Sequence, residues 1–390
     1  MRSQRGQHRQ RALLCPFAGT TRGHVVRCFA VGEALSALGF HVGVAGPRSL
    51  RREVQSAGFE FVDEAFADQM RDVAPLRPAR RAKAVLEMLE GARRALRAFR
   101  PAVVVGDLAP AVHVQAAFEG LPSVSLANLE LFRFPLRQWI EVLEAAYREL
   151  ELPWWAASRS FGDAFVVGDI SDWVGLRDLG PTGNNIIRSV REIHFVGPIL
   201  RGKLIPWELR PARRRQRVVM SLGGGPSPGA HLFDGCAGID ADYDVIVAGK
   251  VSAESRKAAL RLEKSIRGRV AFHPFDDAFP RRIAEADVLV AHGGHGTLVQ
   301  ALTVGVPTLA VPLTREQTLN ANRLLGLGEF TPEAADAVRS TIGPKLAALL
   351  ADRKRDEGRK LYAESLRAYG GAAHAARIIR VIAHGRGKPQ

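Results

Sequence analysis

The sequence predicts an α/β protein of two doubly wound, Rossmann-like parallel-sheet domains, and three observations carry that prediction. At 390 residues the chain exceeds the usual extent of one hydrophobic core. From Ala12 onward, short apolar runs alternate with longer amphipathic ones, the grammar of repeated βαβ units. Between Phe195 and Arg217 this rhythm lapses into Gly197, Pro198, Pro206, Pro211 and the run Arg213 to Arg215, after which a second α/β series begins.

In chain order, residues 1–11 are a basic tail expected to be disordered, and Ala12 to Ala18 is the first strand. Val25 to Leu38 carries apolar residues at helical spacing, Gly39 stops that helix, and His41 to Ala45 is the next strand. Ala84 to Phe99 reads as a helix ended by Pro101, with strands following at Ala102 to Gly106 and Leu121 to Leu126. This first domain is bounded at 12–198 and followed by a linker at 199–216. The second domain, 217–365, has strands predicted at Val218 to Leu222, Asp244 to Ala248, Arg269 to Phe272, Val288 to Ala291 and Thr308 to Val311. A last amphipathic helix, Ala372 to Ala383, falls in the C-terminal segment 366–390.

Composition narrows function by exclusion. With 46% hydrophobic and 7% aromatic residues, the chain suits a folded α/β protein rather than a disordered or fibrous one. Cys15, Cys28 and Cys236 are an odd number without CxxC spacing. They point to reduced thiols in a cytoplasmic protein, not to a disulfide scaffold or a zinc site. No apolar stretch approaches the roughly 18 to 20 residues of a membrane span, so no transmembrane segment is expected. The net charge of +15 biases encounters towards anions. Arginines such as Arg93, Arg94, Arg97 and Arg100 are nevertheless spread as on a solvated helical face, and no RNP or zinc-finger pattern accompanies them. Nucleic acid is therefore not an expected partner, whereas an anionic or lipid-linked small molecule at the inner membrane face suits the charge.

Chemistry concentrates in His292 to Leu302, HGGHGTLVQAL, between a predicted strand and a helix that opens near Gly296. Glycines let the backbone approach a ligand, first-turn N–H groups lack intrahelical partners, and the helix dipole favours negative charge there. A diphosphate fits such a turn better than a carboxylate does, with Thr297 adding a hydroxyl and His292 a ring donor. Gly305-Val306-Pro307 opens the next strand and Pro312 ends it. Glu316 and Gln317 then stand at the top of the following helix, by a strand's carboxyl end, where open α/β sheets bind ligands. The run Ser221 to Gly225 suits a loop facing the same cleft, and Gly223 and Gly224 are assigned to the diphosphate. Pro226 and Pro228 keep that run from being a GxGxxG fingerprint. Asp240 and Asp242 fall in a predicted helix-to-strand turn and are not read as metal ligands; no metal or cofactor is expected.

In the first domain the turn GTTRGH, Gly19 to His24, joins the first strand to its helix. A histidine titrates near neutrality, so His24 is a candidate general base for a hydroxyl acceptor, with a plain helix cap as the alternative. Asp107 ends another strand, VVVGD, and can project into the same edge region, where a carboxylate would fix the imidazole tautomer.

HGGHGT, GVPTLAVP and REQTLNANRL together resemble the donor-binding block of the GT-B glycosyltransferases of the UDP-glycosyltransferase type, bacterial natural-product and macrolide enzymes included. GHVVRCFAVGEALSALGFHV, residues 23–42, and the VGP of 196–198 extend the resemblance into the first domain. It implies a GT-B fold whose domains face each other across a cleft, the N-terminal one binding acceptor and the C-terminal one nucleotide sugar. It implies His292, Gly293, Gly294, Gly296 and Thr297 on the diphosphate, Glu316 and Gln317 on the donor sugar, and Phe272 stacked on the base. His24 would be the base and Asp107 its partner. Gln300 stands where many members carry a ribose-binding Glu, which leaves UDP and dTDP both open. The implied activity is an inverting, metal-independent hexosyl transfer to a hydroxyl or other nucleophile of a small-molecule acceptor. The nucleoside-diphosphate sugar is the co-substrate and no cofactor takes part, in a monomer or homodimer. A nucleotide-sugar hydrolase or epimerase of the same fold stays open, as does a partner protein that binds without turnover. Phe132, Phe134, Trp139, Trp154 and Trp155 are candidates either for an acceptor pocket or for helix packing.

Overall fold

The computed structural model describes residues 10–17, 23–62, 78–128, 148–153, 155, 159–170, 192–202, 215–222, 230–247, 251–276, 278–322, 329–330, 335–352 and 356–385. The chain divides into two compact units, Met1–Arg201 with Tyr369–Gln390, and Gly202–Ala368.

Unit 1 is built on β1 (Arg11–Pro16), β2 (His41–Ala45), β3 (Glu60–Val62), β4 (Val103–Asp107), β5 (Ser123–Ala127), β6 (Ala164–Val167) and β7 (Glu192–Phe195). They form one sheet in the order β3-β2-β1-β4-β5-β6-β7, parallel throughout. Every residue of β4 and β5 is buried, as parallel strands covered on both faces must be. One face packs on α1 (Gly23–Ala37), whose Phe29, Val31 and Leu35 lose all solvent contact. The short α2 (Arg51–Ser56) adds Val54 to the same cluster. The other face carries α3 (Pro78–Phe99) and α4 (Pro110–Phe118), with Val85, Leu89, Leu96, Phe99 and Val112 against Leu13 and Val104.

Gly106 in β4 lies directly beneath the His113 ring of α4; a Cβ there would come within 2.4 Å of Nε2. The Ser125 hydroxyl donates to the Phe161 carbonyl at 2.8 Å, so the His113 Nε2–H donates to Ser125 Oγ at 3.0 Å. Burial pushes this ring down to about 4, and it stays neutral at physiological pH. Gly106→Ala is expected to lower the unfolding free energy of the unit by about 1–3 kcal/mol, read from urea denaturation, because neither ring nor strand has room to yield.

Unit 2 repeats the plan with β8 (Arg217–Ser221), β9 (Asp242–Val247), β10 (Val270–Pro274), β11 (Val288–Ala291), β12 (Thr308–Ala310) and β13 (Glu329–Phe330), all parallel, in the order β10-β9-β8-β11-β12-β13. Its helices are α5 (Ala230–Gly235), α6 (Ala253–Ser265), α7 (Phe279–Ala284), α8 (His295–Thr303), α9 (Arg315–Asn322), α10 (Ala335–Ala351) and α11 (Asp356–Ala368). Val218, Met220, Val245 and Val290 pack with Phe233, Leu262 and Leu346 on one face; Val219 and Leu289 pack with Ile283 and Ala301 on the other.

The chain ends in α12 (Gly371–Gly385), which packs on α1 in unit 1 and buries Ala375, Ala376 and Ile379 in the cluster that holds Phe29. Gly371 has φ +48° and a Cβ would stand 2.2 Å from the Pro198 carbonyl oxygen, so only glycine brings the helix this close. Arg11 opens β1 and is thus part of the sheet rather than of the tail. Among the described residues no helix is long and apolar enough to cross a membrane.

Candidate functional site

Each sheet reverses its strand order once, between β1 and β4 in unit 1 and between β8 and β11 in unit 2, and such switch points are where doubly wound sheets bind ligands. In unit 1 the register sets Pro16 beside Asp107, so the chain leaves both strands at the same edge. Phe17 N–H donates to the Asp107 carbonyl at 2.8 Å. His24 lies in the first turn of α1 with its ring edge-on to Phe17, centroids 5.5 Å apart.

The His24 ring is held by Asp107, with Nδ1 2.8 Å from Oδ1. Arg27, one turn further along α1, reaches the same carboxylate with both arms, Nε to Oδ2 and Nη2 to Oδ1, each at 2.7 Å. Asp107 is wholly buried and the Arg27 side chain 9% exposed, while the His24 side chain keeps 19%. An ionised carboxylate only accepts, so Nδ1 carries a proton toward it, and in the neutral ring the lone pair is then on Nε2. Burial alone would push the Asp107 carboxyl up, but the charges and hydrogen bonds of Arg27 and His24 outweigh it and hold it at about 2. Sequence reasoning brought His24 and Asp107 together and missed Arg27. The signal was present: Arg27, Val31 and Leu35 recur every fourth residue, and a lone cation on an apolar stripe has to find a buried anion.

In unit 2, β11 pairs Ala291 with Ser221 of β8, and His292, Gly293 and Gly294 lead from it into α8. Gly294 is the N-cap, extended at φ −62° and ψ 129°, with no side-chain cap. The bond from Leu298 N–H to the Gly294 carbonyl, 3.1 Å, is the first of the helix, so the amides of Gly296 and Thr297 precede it at the positive end of the dipole. The three glycines differ in what their positions demand. Gly293 has φ +85°, and a Cβ would sit 2.8 Å from the Gln317 carbonyl oxygen. At Gly294 and Gly296 a Cβ would meet nothing within 4 Å and φ is not positive. Among the described residues, neither packing nor backbone conformation requires glycine at these two positions. Gly296→Ala is accordingly expected to raise the thermal stability of the protein, by up to about 1 kcal/mol, while weakening nucleoside-diphosphate binding in a titration.

Helix α9 braces this turn. Asn320 Nδ2 donates to the Gly293 carbonyl at 2.9 Å. Thr314 Oγ1 caps the helix by accepting from Gln317 N–H at 3.2 Å, and Gln317 Oε1 accepts from Leu313 N–H at 2.7 Å, a variant of the capping box. These two bonds engage the Oε1 and the backbone N–H of Gln317, not its amide NH₂. The backbone of Glu316 lies in α9, its side chain outside the described residues, as are Gly223 and Gly224. Gln300 is buried in α8.

His292 is also buried, with Nδ1 3.1 Å from the Val311 carbonyl, so Nδ1–H donates there and Nε2 holds the lone pair. Burial pushes the ring down to about 4, the Val311 bond opposes this, and His231 of α5, 6.3 Å away ring to ring, adds to it. Phe272 stands inside β10, between the Phe233 ring at 6.3 Å and the Arg256 guanidinium at 6.0 Å. The ring just past the strand's carboxyl end is Phe275, equally exposed and 4.7 Å from Phe279. Asp242 opens β9 instead of lying in a turn, and accepts from Arg269 N–H, while Asp240 pairs with Arg215 and Arg267. Trp155 meets Phe118 edge-on at 5.1 Å beside a small hollow lined by Ala117, Ser123, Arg159 and Asp163. Phe132, Phe134, Trp139 and Trp154 lie outside the described residues.

Residues 241–351 match the family model of the glycosyltransferase family 28 C-terminal domain. The chain is 28% identical over 190 residues to the zeaxanthin glucosyltransferase of Pseudescherichia vulneris, covering 48% of this chain and 44% of that protein. It is 31% identical over 192 residues to the demethyllactenocin mycarosyltransferase of Streptomyces fradiae, covering 48% and 40%. The matched stretch thus spans less than half the length of either relative. Among solved structures, the spinosyn rhamnosyltransferase SpnG complexed with thymidine diphosphate superposes with a TM-score of 0.69 at 18% identity, over 95% of this chain and all of that one, which shows the fold.

Proposed function

The chain is a UDP-glycosyltransferase-like protein of the GT-B fold, and from that premise we propose that it transfers a sugar, with inversion, from a UDP- or dTDP-linked donor to a hydroxyl of a small-molecule acceptor. The observation that carries the proposal is the His24 ring, fixed by Asp107 through Nδ1 so that Nε2 is the atom able to accept a proton. His24 Nε2 removes the acceptor proton as its oxygen attacks the anomeric carbon, and Asp107 stabilises the imidazolium that forms. The bond to the nucleoside diphosphate breaks on the opposite side of that carbon.

Negative charge growing on the leaving diphosphate is met by the amides of Gly296 and Thr297, the Thr297 hydroxyl and His292. Gln317, through its NH₂, and Glu316 hold the donor sugar; Gln300 faces the ribose, and an aromatic of the β10 segment, Phe272, stacks on the base. The sugar nucleotide is a co-substrate, and the chain's own residues supply the rest. A net charge of +15 favours an anionic or lipid-linked acceptor.

The test incubates the protein with UDP- and dTDP-hexoses, with and without hydroxylated polyketides and carotenoids, and measures diphosphate and glycoside together. Diphosphate release that requires acceptor, matched by a glycoside of inverted anomeric configuration, is the expected result. Full release without acceptor assigns the site to hydrolysis, and no release with any donor sinks the transfer reading.

A further inference from the structure

We propose that Arg27 is a positioning residue that keeps His24 in its neutral, proton-accepting form, by occupying Asp107 so that the carboxylate orients the imidazole without drawing a second proton onto it. The proposal rests on the reading of His24 as the base. Asp107 has two oxygens, and the Arg27 fork engages both at 2.7 Å, with His24 Nδ1 sharing Oδ1 at 2.8 Å. In a histidine–aspartate couple without such a clamp, the full charge of the carboxylate favours imidazolium. A base held in that form is already protonated before its substrate arrives.

Here a guanidinium that never loses its charge offsets the carboxylate. Its Nη2 stands 3.3 Å from His24 Nδ1, so a proton added at Nε2 places two cations side by side in surroundings that screen them weakly. The Arg27 charge thus opposes the addition of a second proton to the ring. Other groups face the cluster from the neighbouring elements. Cys28 on α1 and Cys15 on β1 are thiols that burial pushes up, hence uncharged at neutral pH. Asp169, wholly buried after β6, acts on Arg27 by its charge. Phe17 closes the edge with an aromatic ring. Arg27 and Asp107 are the charged groups within hydrogen-bond range of the His24 ring among the described residues.

The experiment follows the His24 imidazole by long-range proton–nitrogen NMR in the full chain, as wild type, Arg27→Lys and Arg27→Met, beside pH profiles of donor consumption. In the wild type the resting ring should carry its proton on Nδ1. Arg27→Met should move the His24 titration midpoint to higher pH, and the acid limb of the rate profile should move with it by about one unit. Arg27→Lys, a point charge unable to grip both oxygens, should give a smaller shift in the same direction. An arginine with only a structural role would reduce the folded fraction without moving either quantity.

An unmoved midpoint in Arg27→Lys and in folded Arg27→Met overturns the proposal, as does a wild-type ring protonated on Nε2. Should Arg27→Met not fold, the wild-type tautomer and the Arg27→Lys midpoint decide. His24→Ala separates the two claims. If that variant keeps its turnover while the Arg27 variants shift the midpoint, the base assignment falls and the clamp stands. If it loses turnover while the midpoint stays fixed, the clamp alone falls.

Discussion

Replacing His24 by Ala is expected to slow sugar transfer by about 100- to 10,000-fold, the usual contribution of a positioned general base, while leaving affinity for the nucleotide sugar within about twofold. The separation follows from where the residues lie. His24 belongs to the switch point of unit 1, whereas the glycine turn, Gln317 and His292 belong to unit 2. The variant should also fold. Truncating His24 removes one of the three bonds to Asp107 and leaves both bonds from Arg27, so no buried charge is stranded. Asp107→Ala is a poorer probe for the same reason, because it would leave the Arg27 guanidinium buried without its partner. Single-turnover rates at saturating donor, with a thermal melt as control, read the effect. A transfer rate within about tenfold of wild type would remove His24 from the chemistry.

The central strands were legible because burial on both faces writes an uninterrupted apolar run: His41–Ala45 and Val288–Ala291 are read from sequence with their observed bounds, and β1, β4 and β8 within one or two residues. The strands that escaped, β3, β6, β7 and β13, have two to four residues each and lack flanking motifs like the glycine turn after β11 or the Gly305-Val306-Pro307 before β12, which made those equally short strands legible. They exist because the neighbouring strand offers its free edge, which is tertiary information. The amphipathic stripe of α12 was equally plain, yet nothing local says that it docks on α1, more than 300 positions earlier.

The same division holds at the site. His24 and Asp107 sit at the junction of an apolar strand with a polar turn or helix start, where a titratable side chain stands out. The bidentate partner of Asp107 lies 80 positions away from it, on an apolar helical stripe that marks Arg27 as buried but does not name the anion it meets. His231 is hidden for a like reason, since only the fold brings α5 to the turn after β11. Gly293 shows the reverse case. The sequence marked it as part of a phosphate turn, but its positive φ and the Gln317 backbone above it give it a structural duty that Gly294 and Gly296 do not share.

Donor affinity is expected to fall with rising pH through a window set by His292. In the free protein burial holds this ring at about 4, against an ordinary 6.5, so at neutral pH it is uncharged, with its one proton given to the Val311 carbonyl. A phosphate oxygen there can only accept, so Nε2 meets it as a donor once it has taken up a second proton. The diphosphate's negative charge favours that uptake and raises the ring's midpoint in the complex. The sign follows from linkage. Between about 4 and the higher midpoint the complex binds more protons than the free protein, so raising the pH favours release, by at most about tenfold per pH unit.

Without donor the same burial costs stability on acidification. Between 6.5 and about 4 the unfolded chain takes a proton that the folded one refuses, a loss on the order of 3 kcal/mol for unit 2 that bound donor should reduce. Calorimetric titration with a nucleotide sugar, in two buffers of different ionisation heat, counts the protons taken up directly. The sugar nucleotide serves better than the free diphosphate, whose terminal phosphate titrates in the same range. His292→Gln offers a hydrogen bond that needs no added proton, and its donor affinity should be flat with pH. Equal slopes in wild type and variant, or no proton uptake in the wild type, would detach His292 from the diphosphate and leave the amides of Gly296 and Thr297 to hold it alone.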